Sequence, residues 1–215
     1  MGSDWPLNIK KAVKTHCWDE EKQLFRDFPN QQVFSQHSNI LAILCDVIPE
    51  KDQTALLERI LTYDKFDEYA SSYFSFYLFK AMDKTNQQDE FMKHLDFWYT
   101  FLDRGHTTAG ETGFASHDRS DCHAWAAHPS YYLLSLVCGI KPADIGFNTV
   151  NITPYTGNLE SVEASMPHPK GRIEVNYRMK KNKLTGKVIL PPGLSGQGFF
   201  NGKTMLLHAG ENVID

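Results

Sequence analysis

The chain has no unbroken apolar run near the roughly eighteen residues that a membrane span requires, so no transmembrane segment is expected. Its opening residues, MGSDWPLNIKK, lack the apolar core of a signal peptide. Met1-Gly2-Ser3 reads as an added leader, which leaves the native N-terminus elsewhere and the compartment unreadable. There is no CxxC pair. Cys17, Cys45, Cys122 and Cys138 are spaced too widely for a zinc ribbon or a disulfide framework, and they read as reduced, buried thiols. Positive charge is not in excess either: the net charge of -4 gives no reason to expect nucleic acid. Short internal repeats and low-complexity segments are also missing, and no cofactor or metal is expected.

What is present is ordinary soluble composition, 41% hydrophobic and 22% charged, in 215 residues. That length suits one substantial domain, or a medium domain with a small one. Aromatics at 13% and nine histidines would serve a site that stacks on sugars or other flat polar ligands, and would equally serve a core.

The pattern divides the chain in two. From Trp5 to about Gly139 the periodicity is helical. Val33, His37, Ile40, Leu44 and Val47 share one stripe, with Ser35 placed to cap it and Pro49 to stop it. Phe74, Tyr77, Leu78, Ala81 and Met82 form a second stripe, and Phe91, Leu95, Trp98 and Leu102 a third. Shorter helices are expected near Leu7 to Trp18, Asp52 to Thr62 and Pro129 to Cys138, giving about six. After GIKPADIG the period becomes two. Ile173, Val175, Tyr177 and Met179 fall on one face of a strand whose hairpin partner follows a KKNK turn, and Asn201-Gly202 signals a tight type I′ turn. The expected fold is α+β: a helical domain over 1–142, then a small antiparallel β-sandwich over 143–215, with the boundary near Pro142 to Gly146. The helix count alone fits a compact bundle or part of a larger toroid.

Between the third stripe and Pro129 lies GHTTAGETGFASHDRSDCHAW, about twenty residues without sustained apolar periodicity. Loops of that length inside compact domains are usually functional or disordered. This one carries Glu111, His117, Asp118, Arg119, Asp121, Cys122, His123 and Trp125. Three readings stand side by side. It is a solvated connector, with Glu111 a surface carboxylate and Arg119 paired to Asp118 or Asp121. It is a metal site built from His117, Asp121, Cys122 or His123, although the spacing matches no strong motif. Or it is a carbohydrate site, with a carboxylate doing proton chemistry while His and Trp hold a sugar ring. Elsewhere His37 and Trp98 read as core residues, and Asp27 as a second-choice pocket residue.

The runs TTAGET, RSDCHAWAAHPSYYLLSLVCGIKPADIGF and VNITPYTGNLESVEASMPHPKGRIEVNY, with SQHSNILAILCDVIP and ASSYFSFYLFKAM upstream, resemble the C-terminal part of bacterial α-L-rhamnosidases of glycoside hydrolase family 78. The resemblance covers almost the whole chain. It implies that the six helices are half of an (α/α)6 toroid, followed by the β-sandwich, in an enzyme that removes terminal L-rhamnose with inversion. It implies Glu111 as general base, His123 as a contact to sugar hydroxyls and Trp125 as a pocket wall. The family's general acid lies upstream, with no equivalent in Met1 to Phe34. The chain is therefore expected to be an inactive fragment of a soluble enzyme of the bacterial cytoplasm or periplasm. Its expected partners are a rhamnose-containing glycoside or polysaccharide and, through helix faces left uncovered, further copies of itself. A noncatalytic carbohydrate-binding or interaction module, or a toroid hydrolase for another sugar, is the alternative.

Overall fold

Ser35 starts the second helix as its sequence position suggests: its hydroxyl oxygen accepts a hydrogen bond from the Ser38 amide at 3.2 Å, satisfying one of the free donors of the first turn. The computed structural model describes residues 4–113, 119–181 and 183–215. By packing, these form two compact units, Met1–His128 and Pro129–Asp215.

The first unit contains helices α1 (Trp5–Cys17), α2 (Gln36–Leu44), α3 (Glu50–Thr62), α4 (Ser75–Lys84), α5 (Gln88–His94) and α6 (Tyr99–Asp103). A short hairpin, β1 (Trp18–Asp19) with β2 (Leu24–Phe25), follows α1. Pro49 does not stop α2. The helix ends at Leu44, Asp46 takes a left-handed φ of 54° that breaks the run, and Pro49 instead precedes the first turn of α3. The face of α2 that is buried carries Asn39, Ile40, Ala42 and Ile43, so the core side is rotated from the His37–Leu44 stripe. The third stripe is interrupted by a 3₁₀ turn, Leu95–Trp98, between α5 and α6, and Leu102 is exposed.

The interior of this unit is mainly apolar (Leu24, Phe25, Ile40, Ile43, Leu57, Ile60, Phe79, Met82 and Phe91 are essentially inaccessible), with a few buried polar side chains, Asn39 among them. Asn39, also fully buried, accepts from the Phe25 amide at 2.7 Å and donates to the carbonyls of Phe25 at 3.0 Å and Ser35 at 2.8 Å. One amide side chain thus completes the backbone of a hairpin strand that has no third strand beside it.

The second unit opens with one helical turn, α7 (Pro129–Tyr132), and a π-helical turn, Leu133–Val137. It continues as two four-stranded sheets built from β3 (Ile140–Pro142), β4 (Thr149–Ile152), β5 (Ser161–His168), β6 (Gly171–Lys180), β7 (Lys183–Leu190), β8 (Ser195–Phe200), β9 (Lys203–Leu207) and β10 (Gly210–Ile214). One sheet has the order β10-β7-β6-β5 and is antiparallel throughout. The other, β3-β4-β8-β9, is mixed: β4 and β8 run parallel. This corrects the expected wholly antiparallel sandwich. Between β4 and β8 the chain builds three strands of the opposite sheet, and it re-enters beside β4 pointing the same way. Sequence alternation marks each strand but carries no record of such a crossover.

Alternation does give the inner face. Ile173, Val175 and Tyr177 of β6 and Val188 and Leu190 of β7 are buried, as are Val150 and Ile152 of β4 and Phe200 and Leu207 on the other sheet. The rings of Tyr177 and Phe200 meet with centroids 6.5 Å apart, and the Tyr177 hydroxyl donates to the Cys138 carbonyl at 3.1 Å. Asn201 and Gly202 both have positive φ, 51° and 77°, as a type I′ turn demands. The Asn201 side chain then accepts from the Leu184 amide and donates to the Leu184 carbonyl, both at 2.8 Å, which pins this turn to β7 of the opposite sheet.

The packing boundary precedes the change of periodicity by about a turn of helix and a strand. The Pro129–Val137 segment looks helical in sequence, yet Leu136 accepts from the Tyr155 amide at 3.1 Å and Gly139 from Thr153 at 3.0 Å, so it is tied to the sheets. Of the four free cysteines only Cys138 is buried, where desolvation pushes its thiol up to about 11; Cys45 and Cys122, at a helix end and in the long loop, are exposed.

Because Asn39 satisfies three backbone groups in an apolar interior, Asn39→Ala should destabilise the helical unit by about 2 to 4 kcal/mol. Urea denaturation followed by circular dichroism measures this, and a loss below about 1 kcal/mol would show that the hairpin does not need the side chain.

Candidate functional site

The long loop is held by its own two arms and by the residues that lead into α4. The Glu111 amide donates to the Ser120 carbonyl and the His123 amide to the Ala109 carbonyl, both at 2.9 Å, while the Thr108 hydroxyl donates to the Asp121 carbonyl. The described parts therefore fold back on each other instead of spreading into solvent. Gly113 has a φ of 76°, and a Cβ there would lie 2.2 Å from the Phe97 ring, so only glycine lets the loop pass this ring. Phe114, Ala115, Ser116, His117 and Asp118 lie outside the described residues, and with them two members of the polar set.

Ser72, fully buried, faces this loop. Its hydroxyl lies 2.7 Å from the Gly110 carbonyl and 2.6 Å from that of Glu111, and its amide donates to Thr112 at 3.3 Å. The neighbouring Tyr73 amide points to the Glu111 carbonyl at 3.4 Å. Glu111 is 8% exposed and is not a surface carboxylate. Arg119 pairs with it, Nε donating to Oε2 at 3.3 Å and Nη2 to Oε1, so the arginine does not take Asp121 as its partner.

His123 precedes a 3₁₀ turn, Ala124–Ala127, and Trp125 is the second residue of it. The Tyr73 ring contacts both, with centroids 5.5 Å from His123 and 5.8 Å from Trp125. Tyr73 thus joins the three residues proposed from sequence: Glu111 through its main chain, His123 and Trp125 through their rings. Trp125, 62% exposed, forms with Phe76, Tyr77, Ala124 and His128 the lining of a cavity of about 330 Å³. That is the lower end of the roughly 300 to 1,000 Å³ of small-molecule sites and matches one small ring better than an extended chain. From Tyr73 the aromatic surface continues through Phe74 to Tyr77 and to His37, whose ring lies 4.0 Å from that of Phe74. Burial lowers the proton affinity of His37 against the opposing pull of Glu68 and Asp27. Asp27 itself is occupied in capping α2, accepting from the Ser35 amide and hydroxyl at 3.2 and 2.8 Å and from the Ser38 hydroxyl.

His128 closes the back of the cavity. Its Nε2 donates to the Ser72 carbonyl at 2.9 Å, and its ring packs edge-on against Phe76, Phe79 and Trp98. Trp98 is a core residue as its spacing suggests, and its indole N–H holds the Ala126 carbonyl at 2.8 Å. Ser72, Tyr73 and His128 were not singled out from sequence. The available signal was Tyr73, Phe74, Phe76 and Tyr77, more aromatics than one stripe of α4 can bury. Among the described residues no group of three His, Cys, Asp or Glu side chains is arranged to hold a metal ion, and no helix is long and apolar enough to cross a membrane.

Desolvation pushes His128 down to about 4, so the fold favours the neutral ring. In the unfolded chain its affinity is the ordinary 6.5, and between the two values the unfolded state binds more protons. The stabilisation is therefore complete above about pH 6.5 and is lost as pH falls through 4, by at most about 3 kcal/mol. Urea titrations from pH 7 to 4 should show this slope in the native chain and a shallower one in His128→Gln; equal slopes would mean that the ring titrates normally.

Comparison with known proteins places this architecture. Residues 139–198 match the family model of the bacterial alpha-L-rhamnosidase C-terminal domain. Among curated proteins there is no significant match. Of solved structures, the family 78 rhamnosidase of Bacillus sp. GL1 superposes with a TM-score of 0.78 and 26% identity over 88% of this chain and 22% of its own. The Aspergillus terreus α-L-rhamnosidase gives 0.74 and 14% over 98% of this chain and 26% of its own. The Streptomyces avermitilis α-L-rhamnosidase complexed with L-rhamnose gives 0.70 and 14% over 95% and 23%. The chain thus spans about a quarter of the length of these structures, and its fold resembles the C-terminal region of family 78 rhamnosidases.

Proposed function

We propose that this chain is the C-terminal part of an inverting glycoside hydrolase that removes terminal α-L-rhamnose, with Glu111 as general base and His123 and Trp125 on the sugar. Its helical unit is then the second half of an (α/α)6 toroid, and the domain boundary by sequence grammar is near residue 142. The observation that carries the reading is the meeting at Tyr73 of the Glu111 main chain with the rings of His123 and Trp125, beside a cavity of one-ring size. An exposed indole offers the apolar face that a sugar ring stacks on, and an imidazole next to it can exchange hydrogen bonds with hydroxyls. Inversion needs a base on one side of the anomeric carbon and an acid on the other, at a typical separation of roughly 6.5 to 9.5 Å with a water between. Glu111 fills the first role. The acid belongs to the part of the longer enzyme that precedes this chain.

On this reading the 215-residue chain alone should not hydrolyse an aryl α-L-rhamnoside. In the longer enzyme Glu111→Gln should cut kcat by about 10² to 10⁴ with little change in sugar affinity, whereas His123→Ala should act mainly on binding. Turnover by the isolated chain that Glu111→Gln abolishes would overturn the assignment of the acid to the preceding part, and an unchanged kcat in Glu111→Gln would remove Glu111 from the role. Retained affinity for rhamnose with no effect of Glu111→Gln would point to a noncatalytic sugar-binding module, and activity on a different aryl glycoside would move the substrate.

The same reading accounts for α1, which buries none of its residues and exposes Trp5, Leu7 and Ile9. Such a face is covered by neighbouring helices in a closed toroid, so the isolated chain should self-associate. Light scattering that finds a strict monomer at high concentration would contradict this.

A further inference from the structure

Ser72 and His128 link the Glu111 arm of the loop to the turn bearing Trp125: the Ser72 hydroxyl meets the arm, and the Ser72 carbonyl meets the His128 ring at the end of the turn. The Ser72 hydroxyl has one proton and two carbonyls, Gly110 and Glu111, within 2.7 Å. Its own carbonyl receives the Nε2 proton of His128, the residue that ends the 124–127 turn. Trp98 fixes the same turn one residue earlier, through Ala126. A displacement of Ser72 would therefore shift the Glu111 main chain and the Trp125 wall together. Neither Ser72 nor His128 is needed for proton chemistry, and His128 touches the cavity only at its back.

We propose that Ser72 and His128 are positioning residues, a buried latch that holds the Glu111 carboxylate and the Trp125 wall in fixed relation. Its importance for catalysis rests on the reading of Glu111 as base; its mechanical action does not. General base catalysis loses efficiency steeply when the base is misplaced by about an ångström, and a main chain bonded at Gly110, Glu111 and Thr112 removes that freedom. The latch requires a ring N–H at Nε2. Groups packed on the ring include the side chains of Phe76 and Phe79 from α4, Trp98 from the 3₁₀ turn, and the Ser72 carbonyl, and burial depresses its proton affinity against the opposing pull of that carbonyl.

Amide hydrogen exchange on the 215-residue chain tests this by comparing Glu111 and His123 with Ile43 of α2, which lies outside the latch. In Ser72→Ala and in His128→Leu, which keeps bulk without a donor, protection at Glu111 and His123 should fall about tenfold relative to Ile43. His128→Gln, which stays neutral and retains an N–H donor, should restore it. Equal behaviour of the Leu and Gln variants, or parallel loss at Ile43, would reduce His128 to packing and overturn the latch. Where one of Ser72→Ala and His128→Leu does not fold, the other decides; where neither folds, His128→Gln decides, since a tenfold loss of protection at Glu111 and His123 in that variant would overturn the latch. Titration of the Trp125 indole resonance with L-rhamnose separates the two ideas: the exchange pattern without any rhamnose response keeps the latch and removes the sugar site.

Discussion

The arrangement of the loop depends on a hydroxyl that no solvent reaches. Ser72 is buried with its oxygen between two carbonyls, and its own carbonyl is taken by a histidine enclosed by aromatic rings. In such surroundings an unmade hydrogen bond costs more than a made one contributes, because the group has lost water and found nothing in return. The constraint therefore works by exclusion. Main chain at Gly110 and Glu111 is placed to receive the Ser72 hydroxyl, and the turn at Ala124–Ala127 ends where the His128 Nε2 proton meets the Ser72 carbonyl. Positions of Glu111 and Trp125 follow from these two contacts.

The same economy recurs away from the site. Asn39 substitutes for a missing strand beside Phe25, and Asn201 substitutes for a missing strand beside Leu184. In each case one amide side chain completes both a backbone donor and a backbone acceptor, which an apolar residue could not do. The first fixes a hairpin within the helical unit. The second fixes the β8–β9 turn of one sheet to β7 of the other. Neither residue is apolar, and each stands where apolar packing alone would leave several registers of similar energy.

How much of this was legible in the sequence depends on whether the interaction is periodic. Alternation in RIEVNYRMK places Ile173, Val175 and Tyr177 inside, and the Asn201-Gly202 pair announces its turn, because both are local rules. The loop was legible as a separate segment because its composition breaks the helical pattern. The family resemblance, carried by TTAGET and SDCHAW, pointed to Glu111, His123 and Trp125. The parallel pairing of β4 with β8 was not legible, since register across a crossover leaves no mark in either strand. Nor were Ser72, Tyr73 and His128, for they stand just outside the periodic helices and their side chains meet main-chain carbonyls and rings that are far away in sequence. The Pro129–Val137 segment misled for a related reason: its periodicity reports a helix, while the contacts that assign it to the sheets come from Leu136 and Gly139 carbonyls.

The Glu111–Arg119 pair then takes a definite place in the proposed chemistry. A base must offer a lone pair to water, and both oxygens of this carboxylate are engaged by the guanidinium. Each oxygen keeps a second lone pair, so water can reach this base either beside the arginine or after the arginine has moved. The Glu111 side chain is only 11% exposed, whereas the Arg119 side chain is 81% exposed and its attachment to this pair is screened by solvent. On the proposed reading the arginine, held by a surface contact of small net value, is the more mobile of the two. Arg119 in this scheme neutralises a buried carboxylate while the site is empty and yields it to a sugar and its water, so that the fold need not keep an unpaired charge inside.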